Sequence, residues 1–367
     1  MRVLVTGANG FIGKNIVIRL REMGIKYDTF TRYNTKEDLA KFIKKSNFIF
    51  HFAGENRPAD ENDFISSNIE LTSDICNEVK KSKKPISILF ASSTQAVLDN
   101  AYGQSKMAAE LSIKTLINTT NNKAFIYRLP GVFGKWAKNN YNSVVATFCY
   151  NTCRGLAIQV DNPDKLLKLV YIDDVVDEFI SKLLAQDYSK TDFKVEPEYR
   201  VTLKEISDLI VKFRESRNLL STEPVGRGFA RKLYATYLSY LPPESFSYSI
   251  PAYSDERGIF SEILKTKDSG QFSFFTAKPG VTRGGHYHHS KTEKFLVVEG
   301  KAKFRFKNLI TQKIHDVFTD SLELKIVETP PGWSHDITNI GNTKMIVILW
   351  ASEIFNPKAP DTYAFQF

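Results

Sequence analysis

A glycine-rich loop near the start of the chain constrains its fold more than any other feature. The loop, residues 6–13, follows a run that favours a β-strand and opens a run that favours a helix. Gly7 allows a sharp turn, Gly10 lets the backbone approach a diphosphate, and Gly13 permits close helix–strand packing. The helix start then offers unpaired N–H groups to an anion. We therefore predict a βαβ unit that binds a dinucleotide. The loop residues expected to contact it are Gly7, Asn9, Gly10, Phe11, Ile12 and Gly13.

The end of the second predicted strand bears on which nicotinamide cofactor is bound. NAD-binding chains usually place an acid there, against the ribose 2′-hydroxyl, whereas an arginine suits the 2′-phosphate of NADP. Here the strand, residues 27–31, runs into Arg32, while the competing Asp28 falls inside the strand. We predict NADPH, with Arg32 at the 2′-phosphate. An ordinary surface role is the alternative for Arg32.

The pattern of the chain changes once, near Pro242 and Pro243. Before that point, short β-branched runs alternate with longer helical patterns, which indicates a doubly wound, Rossmann-like parallel sheet covered by helices. After it, alternating runs broken by glycine and proline are typical of an antiparallel β barrel. We predict an α/β domain over residues 1–243 and an all-β domain over residues 244–367. The predicted strands of the first domain are residues 2–6, 48–53, 86–91 and 124–128, and its helices include 11–23, 67–80, 102–117 and 203–217.

Composition excludes several classes of protein. The chain is 42% apolar and 25% charged, which is globular, and no apolar run approaches the roughly 20 residues of a membrane-spanning helix. Three cysteines provide no disulfide framework. The start lacks the pattern of a signal peptide. We therefore expect a cytoplasmic protein with no membrane partner.

The net charge of +9 suggests nucleic acid as a partner, but its distribution does not. The one cluster, Lys80, Lys81, Lys83 and Lys84, lies among polar residues before a proline and is more typical of a solvated helix end. Small anionic substrates such as phosphates suit the same charge. We predict no binding of nucleic acid.

A second motif in the first domain carries chemistry. Tyr102 and Lys106 lie four residues apart, on one face of a predicted helix. A nearby ammonium lowers the phenol pKa from about 10 toward the working pH, so that the tyrosine can exchange a proton with a substrate oxygen. Ser92, Ser93 and Thr94 follow a predicted strand and offer hydroxyls to that oxygen. An incidental pair on a surface helix is the alternative interpretation.

Together, the motifs of the first domain resemble the extended short-chain dehydrogenases, in the same order along the chain. The resemblance implies that Tyr102 is the proton donor, that Lys106 orients the cofactor ribose, and that Ser93 binds the substrate oxygen, within one position. It implies also that Ala53 and Gly54 border the cofactor, and that the substrate is a nucleotide-activated sugar. The motifs are residues 6–13, 51–54, 68, 92–94, 102–106, 128–134 and 171–174; Gly131 and Phe133 stand where the family usually has Asn and Tyr.

Histidine concentrates in the second domain, where five of the six follow residue 285. His286 and His288 alternate on one face of a predicted strand, which Glu293 and His335 can reach from a neighbouring strand and a turn. Three imidazoles and one carboxylate suit zinc or another divalent transition metal. Satisfied core histidines are the alternative, but four ligand types at matched intervals favour a metal site.

The blocks that hold these four residues resemble the paired motifs of the cupin superfamily, although Leu324 replaces an expected glycine. Residues 255–262 and 283–287 are similar to those of sugar-nucleotide epimerase cupins. In those epimerases a histidine at the place of His286 acts as a base and no metal is needed. A base role for His286 is therefore the alternative to its role as a ligand.

The whole chain, an extended reductase fused to an epimerase-like cupin, resembles bifunctional enzymes of capsular polysaccharide biosynthesis. This resemblance implies two linked reactions on a UDP-linked 2-acetamido-2,6-dideoxy-4-hexulose. The cupin would epimerise C3, and the reductase would then reduce the C4 ketone with NADPH, giving UDP-2-acetamido-2,6-dideoxy-L-talose. Because cupins often pair through their sheets, a homodimer is expected. Three alternatives stay open: a reductase with a purely dimerising cupin, a metal-dependent oxygenase, and a nicotinamide-binding redox sensor.

Overall fold

In the computed structural model, the chain divides into two compact units. The first comprises Met1–Ser143 and Leu167–Arg200, and the second comprises Val144–Leu166 and Val201–Phe367. The division into domains at residues 1–243 and 244–367 stays a prediction. The structure describes residues 1–57, 60, 62–82, 84–185, 193–251, 253–255, 258–260, 264–266, 270–353 and 358–365.

The first unit is built on five parallel strands. Their order reverses beside the first strand, so a crevice is expected there, outside the carboxyl ends of the strands. In order across the sheet, the strands are Lys26–Phe30, Arg2–Thr6, Phe48–His51, Ser87–Ser93 and Lys123–Leu129. The central strands are continuous apolar runs such as Ile88, Leu89 and Phe90, all buried, as expected where helices cover both faces.

Helices of the first unit follow the predicted pattern with one difference. The predicted helix over residues 67–80 forms as a π-helical segment, Ile65–Glu70, followed by the α-helix Leu71–Lys81. The remaining helices are Phe11–Glu22, Lys36–Lys45, Asn62–Phe64, Ala101–Thr119 and Ile172–Leu184, with a 3-10 turn at Thr94–Val97. A small sheet contains Gly131–Phe133, Leu166–Tyr171 and Tyr199–Thr202.

In its described residues, the second unit contains two five-stranded sheets, called here the paired sheets, and three α-helices. Phe295 of one sheet packs against Phe304 of the other, with ring centroids 5.6 Å apart, so the core lies between them. The first sheet has the order Ser247–Ser249, Lys325–Thr329, Glu293–Glu299, Met345–Ala351 and Gln271–Ala277. The second has the order Ile314–Asp320, Lys301–Asn308, Trp333–Asn339, Thr282–Tyr287 and Tyr363–Ala364.

The other elements of the second unit are short or helical. The α-helices are Val144–Cys153, Leu203–Leu219 and Gly228–Ser239, with a 3-10 turn at Pro243–Ser245. Short strands pair Ser221–Thr222 with Lys265–Thr266, and Tyr253–Asp255 with Gly258–Phe260. The predicted order, a parallel α/β fold followed by an all-β fold, is therefore confirmed.

Two sequence features lie partly outside the described residues. They are the epimerase-like segment 255–262, of which 256, 257, 261 and 262 are not described, and the lysine cluster, of which Lys83 is not described. Within the described parts of the chain, none of the helices combines the length and the apolar character that crossing a bilayer requires.

Candidate active sites

The glycine loop of the first unit is wound tightly against the strand Phe48–His51 and the residues that follow it. Gly7 has a φ of +66°, and a Cβ there would lie 2.6 Å from the backbone nitrogen of Ala53. A Cβ on Gly13 would lie 2.2 Å from the carbonyl oxygen of Gly7. Only glycine fits either position.

Gly10 caps the helix Phe11–Glu22, whose first turn carries neither a side-chain cap nor an acidic residue. The backbone N–H groups at the start of this helix therefore suit the diphosphate of a dinucleotide. Asn9 and Gly10 are exposed, Phe11 and Ile12 are half-buried, and Ala53 and Gly54 lie beside the loop.

Arg32 and Asp28 have different surroundings. Arg32 is exposed, two residues beyond the strand Lys26–Phe30. Asp28 lies in the middle of that strand, and its Oδ2 accepts a hydrogen bond of 2.6 Å from Arg2 Nε. The carboxylate that could read a ribose hydroxyl is thus engaged elsewhere, whereas Arg32 is accessible to a phosphate.

Tyr102 and Lys106 both lie on the helix Ala101–Thr119. Lys106 is 6% exposed, and its Nζ donates to the carbonyl oxygen of Ala91 at 3.3 Å. Burial lowers the pKa of Lys106 to about 8. The ammonium lies next to Gly54, where a Cβ would be only 3.3 Å from Nζ. The lysine therefore reaches the border of the glycine loop, as a ribose-orienting residue would.

The phenol of Tyr102 does not have the predicted low pKa. Burial raises its pKa, and a hydrogen bond with Ser93 opposes this change only in part. Lys106 Nζ is 5.9 Å from the centroid of the Tyr102 ring. The expectation that the ammonium would lower this pKa is therefore wrong for this structure, because burial outweighs the distant charge.

The neighbouring hydroxyls of Ser92 and Ser93 have different partners. Ser92 Oγ donates to Glu110 Oε1 at 2.6 Å, and the same carboxylate accepts from Arg128 Nη2 at 2.7 Å. Ser93 hydrogen-bonds with Tyr102, and Thr94 is exposed on the turn that follows. Ser93 is therefore the hydroxyl that shares a site with Tyr102. No sequence motif indicates the contacts of Glu110 with Ser92 and Arg128.

Asn68 lies in the π-helical segment, and its side chain hydrogen-bonds to two other parts of the first unit. Its amide nitrogen donates to Glu55 O at 3.0 Å and to Ser105 Oγ at 2.9 Å. Its amide oxygen accepts from Glu55 N at 2.9 Å. These bonds tie the segment after the third strand to the helix that carries Tyr102. The π-helical segment that contains Asn68 is a kind of turn that is frequent at functional sites.

The four predicted metal ligands converge between the paired sheets. Their ligand atoms all lie within 4.8 Å of one another. Glu293 Oε2 is 3.1 Å from His288 Nε2 and 3.3 Å from His335 Nε2. The ring centroids of His286 and His335 are 4.8 Å apart. His335 lies on the strand Trp333–Asn339 rather than on a turn, and His288 just beyond the strand Thr282–Tyr287.

Burial sets the charge of this cluster. It lowers the pKa of His286 to about 3, together with the neighbouring His335 and His288, and it also lowers the pKa of His335. Burial alone would raise the pKa of Glu293, but the adjacent imidazoles hold it well below its usual range. Neutral imidazoles at His286 and His335 beside an ionised Glu293 suit metal binding, which needs deprotonated ligands.

The donors also fit a cation by their geometry. His335 Nδ1 is buried and has no hydrogen-bond partner among the described residues. His288 Nδ1 lies 2.5 Å from the backbone oxygen of Asp361, which can only accept. Its proton is therefore on Nδ1, so Nε2 faces Glu293 as a second acceptor. Two acceptors 3.1 Å apart require a cation or a proton between them.

A cavity of about 210 Å³ opens beside the cluster, between the paired sheets. Its polar wall combines the cluster with a positively charged side chain, Arg283. The lining residues are Phe275, Arg283, Gly284, His286, Glu293, Phe295, Phe304, His335, Asp336, Ile337 and Leu349. The cavity could hold a small polar ligand against the imidazoles.

Two family profiles match the chain. The profile of the NAD dependent epimerase/dehydratase family matches residues 3–195. That of the polysaccharide biosynthesis C-terminal domain matches residues 253–363.

Some relatives match the chain over nearly its whole length, and others match only part of it. A UDP-2-acetamido-2,6-beta-L-arabino-hexul-4-ose reductase from Pseudomonas aeruginosa is 50% identical over 365 residues, covering 99% of this chain and 98% of the relative. The crystal structure of the capsular polysaccharide assembling protein CapF from Staphylococcus aureus is 39% identical, covers 100% of both chains and has a TM-score of 0.69. The crystal structure of UDP-glucose 4-epimerase from Thermus thermophilus is 18% identical and has a TM-score of 0.50. The match covers 58% of this chain and 83% of that chain, and it shows a shared fold over that part.

Proposed function

This chain belongs to the CapF family, within the NAD-dependent epimerases and dehydratases, and we propose that it is a bifunctional sugar-nucleotide enzyme. Its substrate is a UDP-2-acetamido-2,6-dideoxy-4-hexulose. Residues 244–367 epimerise C3, and the first unit then reduces the C4 ketone with NADPH. The product is UDP-2-acetamido-2,6-dideoxy-L-talose, a precursor of N-acetyl-L-fucosamine in surface polysaccharide.

One observation carries this proposal: the chain holds two separate groups of reactive side chains. The first unit has Tyr102 with Ser93 and the buried Lys106. The paired sheets hold four converging metal donors. The 4-keto sugar in the name of the Pseudomonas relative supports the choice of substrate.

The reduction uses four residues of the first unit. Bound NADPH supplies the hydride that C4 accepts. Ser93 donates a hydrogen bond to the C4 oxygen, and Tyr102 gives that oxygen its proton, so that the ketone becomes an alcohol. A phenol whose pKa is raised by burial stays protonated at neutral pH, which suits a donor. Lys106 holds the cofactor ribose, and Arg32 binds the 2′-phosphate.

The epimerisation relies on the cavity between the paired sheets. The C4 ketone acidifies the proton on C3, so a base can remove it; return of a proton to the opposite face inverts C3. A divalent cation, zinc in our proposal, would be held by His286, His288, Glu293 and His335 and would supply positive charge in the cavity. Arg283 offers a further positive charge to the anionic substrate.

Fusion of the two activities has a chemical reason. An epimerised ketone can revert, because its C3 proton stays acidic. Reduction at C4 removes the ketone and with it that acidity, so the new configuration is fixed. A homodimer is part of the proposal, because cupins often pair through their sheets.

The test is NMR in deuterated water with the full chain and the UDP-4-keto-6-deoxy amino sugar, with NADPH withheld. We expect deuterium at C3, and the C3-inverted alcohol after NADPH is added. Tyr102→Phe is the matched variant: it should keep the exchange and lose the reduction. Reduction without any exchange would leave a plain reductase and overturn the epimerase half.

A further inference from the structure

The described C-terminal segment, residues 358–365, lies against the strand that carries His286. Its strand Tyr363–Ala364 pairs antiparallel with that strand, with Ala364 opposite His286. The pairing continues with a hydrogen bond of 2.8 Å from Phe365 N to Gly285 O. The segment is therefore fixed next to the four-donor cluster.

Within this segment, Asp361 makes two kinds of contact with the loop that joins His288 to Glu293. Its backbone oxygen accepts from His288 Nδ1. Its carboxylate accepts three backbone N–H groups, from His289 at 2.8 Å and from Ser290 and Lys291 at 2.7 Å each. Ser290 Oγ also donates to the carboxylate at 2.9 Å. One residue thus anchors the whole loop.

The other end of the loop is also held by this segment. Lys291 Nζ lies 3.2 Å from Glu293 Oε1 and donates to Thr362 Oγ1 at 3.2 Å. Consequently, one oxygen of Glu293 is engaged by Lys291, and the other, Oε2, points to His288 and His335. Residues 361 and 362 therefore fix the orientation of two of the four donors.

We propose that Asp361 is a positioning residue of the metal site: it sets the tautomer of His288 and holds the loop that presents His288 and Glu293. The inference rests on the proposed metal site. Backbone N–H groups that converge on a carboxylate stabilise a loop without strain, and a carbonyl behind a ligating imidazole fixes its proton. Loss of such a partner typically lowers metal affinity about 10- to 100-fold.

The test compares zinc affinity of the full chain before and after Asp361→Asn, by competition with a chromophoric chelator. The change leaves the backbone oxygen in place and weakens only the bonds between the carboxylate and the loop, so we expect a dissociation constant raised about 10-fold, at the lower end of this range. Asp320→Asn is the matched control, because Asp320 also accepts two backbone N–H groups, from Leu322 and Glu323, in a turn away from the cluster. It should leave zinc affinity unchanged.

The outcomes separate the two proposals. If the wild-type chain fails to bind zinc, the proposed metal site is wrong and the inference with it. If the wild type binds zinc and Asp361→Asn binds it equally well, only the positioning role is refuted. Should Asp361→Asn not fold, Ser290→Ala is measured instead, with an expected rise of about fivefold, equivalent to one hydrogen bond. An unchanged affinity in Ser290→Ala would refute the role.

Discussion

Arg217 and Glu328 form an ion pair that joins the helix Leu203–Leu219 to the strand Lys325–Thr329 of the paired sheets. The carboxylate is 1% exposed and also binds Lys294, which is 4% exposed. Lys294 immediately follows the metal-ligand candidate Glu293, so the two side chains point to opposite faces of one strand. The ion pairs of Glu328 therefore lie on the opposite face of the strand from the Glu293 side chain and the metal-ligand cluster.

Glu328→Gln should destabilise the second unit strongly. The change leaves the buried Lys294 and the half-buried Arg217 without a counter-charge, and loss of one partner of a buried ion pair typically costs about 3–5 kcal/mol. Urea unfolding at pH 7 measures the loss. Asp316→Asn is the control: its pair with Lys303 is 32% exposed on each side, so less than about 1 kcal/mol is expected. Equal effects of the two changes would contradict the buried network.

Lys106→Met should abolish reduction and yet stabilise the fold. The buried ammonium has a pKa of about 8, against about 10.5 in the unfolded chain, which corresponds to a cost of roughly 3 kcal/mol below pH 8. Between pH 8 and 10.5 the unfolded chain keeps the proton that the folded chain releases, so wild-type stability rises with pH. The advantage of the variant should shrink across that window.

Urea unfolding at several pH values measures this advantage. Lys114→Met, an exposed lysine on the same helix, controls for helix propensity. A difference between Lys106→Met and wild type that stays constant from pH 7 to 10.5 would argue against a buried, perturbed Lys106.

The two adjacent serines should separate catalysis from stability. Ser93→Ala removes the hydroxyl next to Tyr102 and should lower kcat for reduction about 100-fold, as loss of one oxyanion donor does. Ser92→Ala breaks the buried bond to Glu110 and should cost about 1–3 kcal/mol of unfolding free energy, with kcat little changed. Steady-state kinetics and thermal unfolding of both variants test the assignment, and the reverse pattern would exchange the two roles.

Arg32→Ala should weaken the binding of NADPH and leave the binding of NADH unchanged. Loss of a charge-assisted contact with the 2′-phosphate predicts a KM for NADPH raised about 10- to 100-fold, with the KM for NADH unchanged. The adjacent Tyr33, 86% exposed, provides the control variant Tyr33→Ala. If both cofactors are affected alike, Arg32 does not read the 2′-phosphate.

His335→Ala should lose bound metal, because it removes one of four donors. Metal analysis of the purified protein measures the occupancy, and His315→Ala, a histidine outside the cluster, is the control. Full occupancy in His335→Ala would remove this residue from the ligand set.

Local patterns were sufficient to predict much of this protein. The glycine loop is local in sequence, and so is the spacing of His286, His288 and Glu293, so both could be found without a structure. Asp361 could not, because it lies 68 residues beyond Glu293 in a segment without a motif. The raised pKa of Tyr102 was also out of reach, since it depends on burial. The sequence pattern indicates a domain boundary near Pro242. The helix Leu203–Leu219 precedes that boundary but belongs to the second unit, because long-range contacts that no local pattern shows hold it there.

The division into units has a consequence for protein engineering. A chimera cut at residue 244 would separate Glu328 and Lys294 from Arg217, so the buried carboxylate would keep only one of its two cationic partners. Exchanging Val144–Leu166 and Val201–Phe367 together keeps each compact unit whole. The helix with Arg217 lies outside both matched profiles, residues 3–195 and 253–363, yet it belongs to the same compact unit as the sheets with Glu328 and has to be transferred with them.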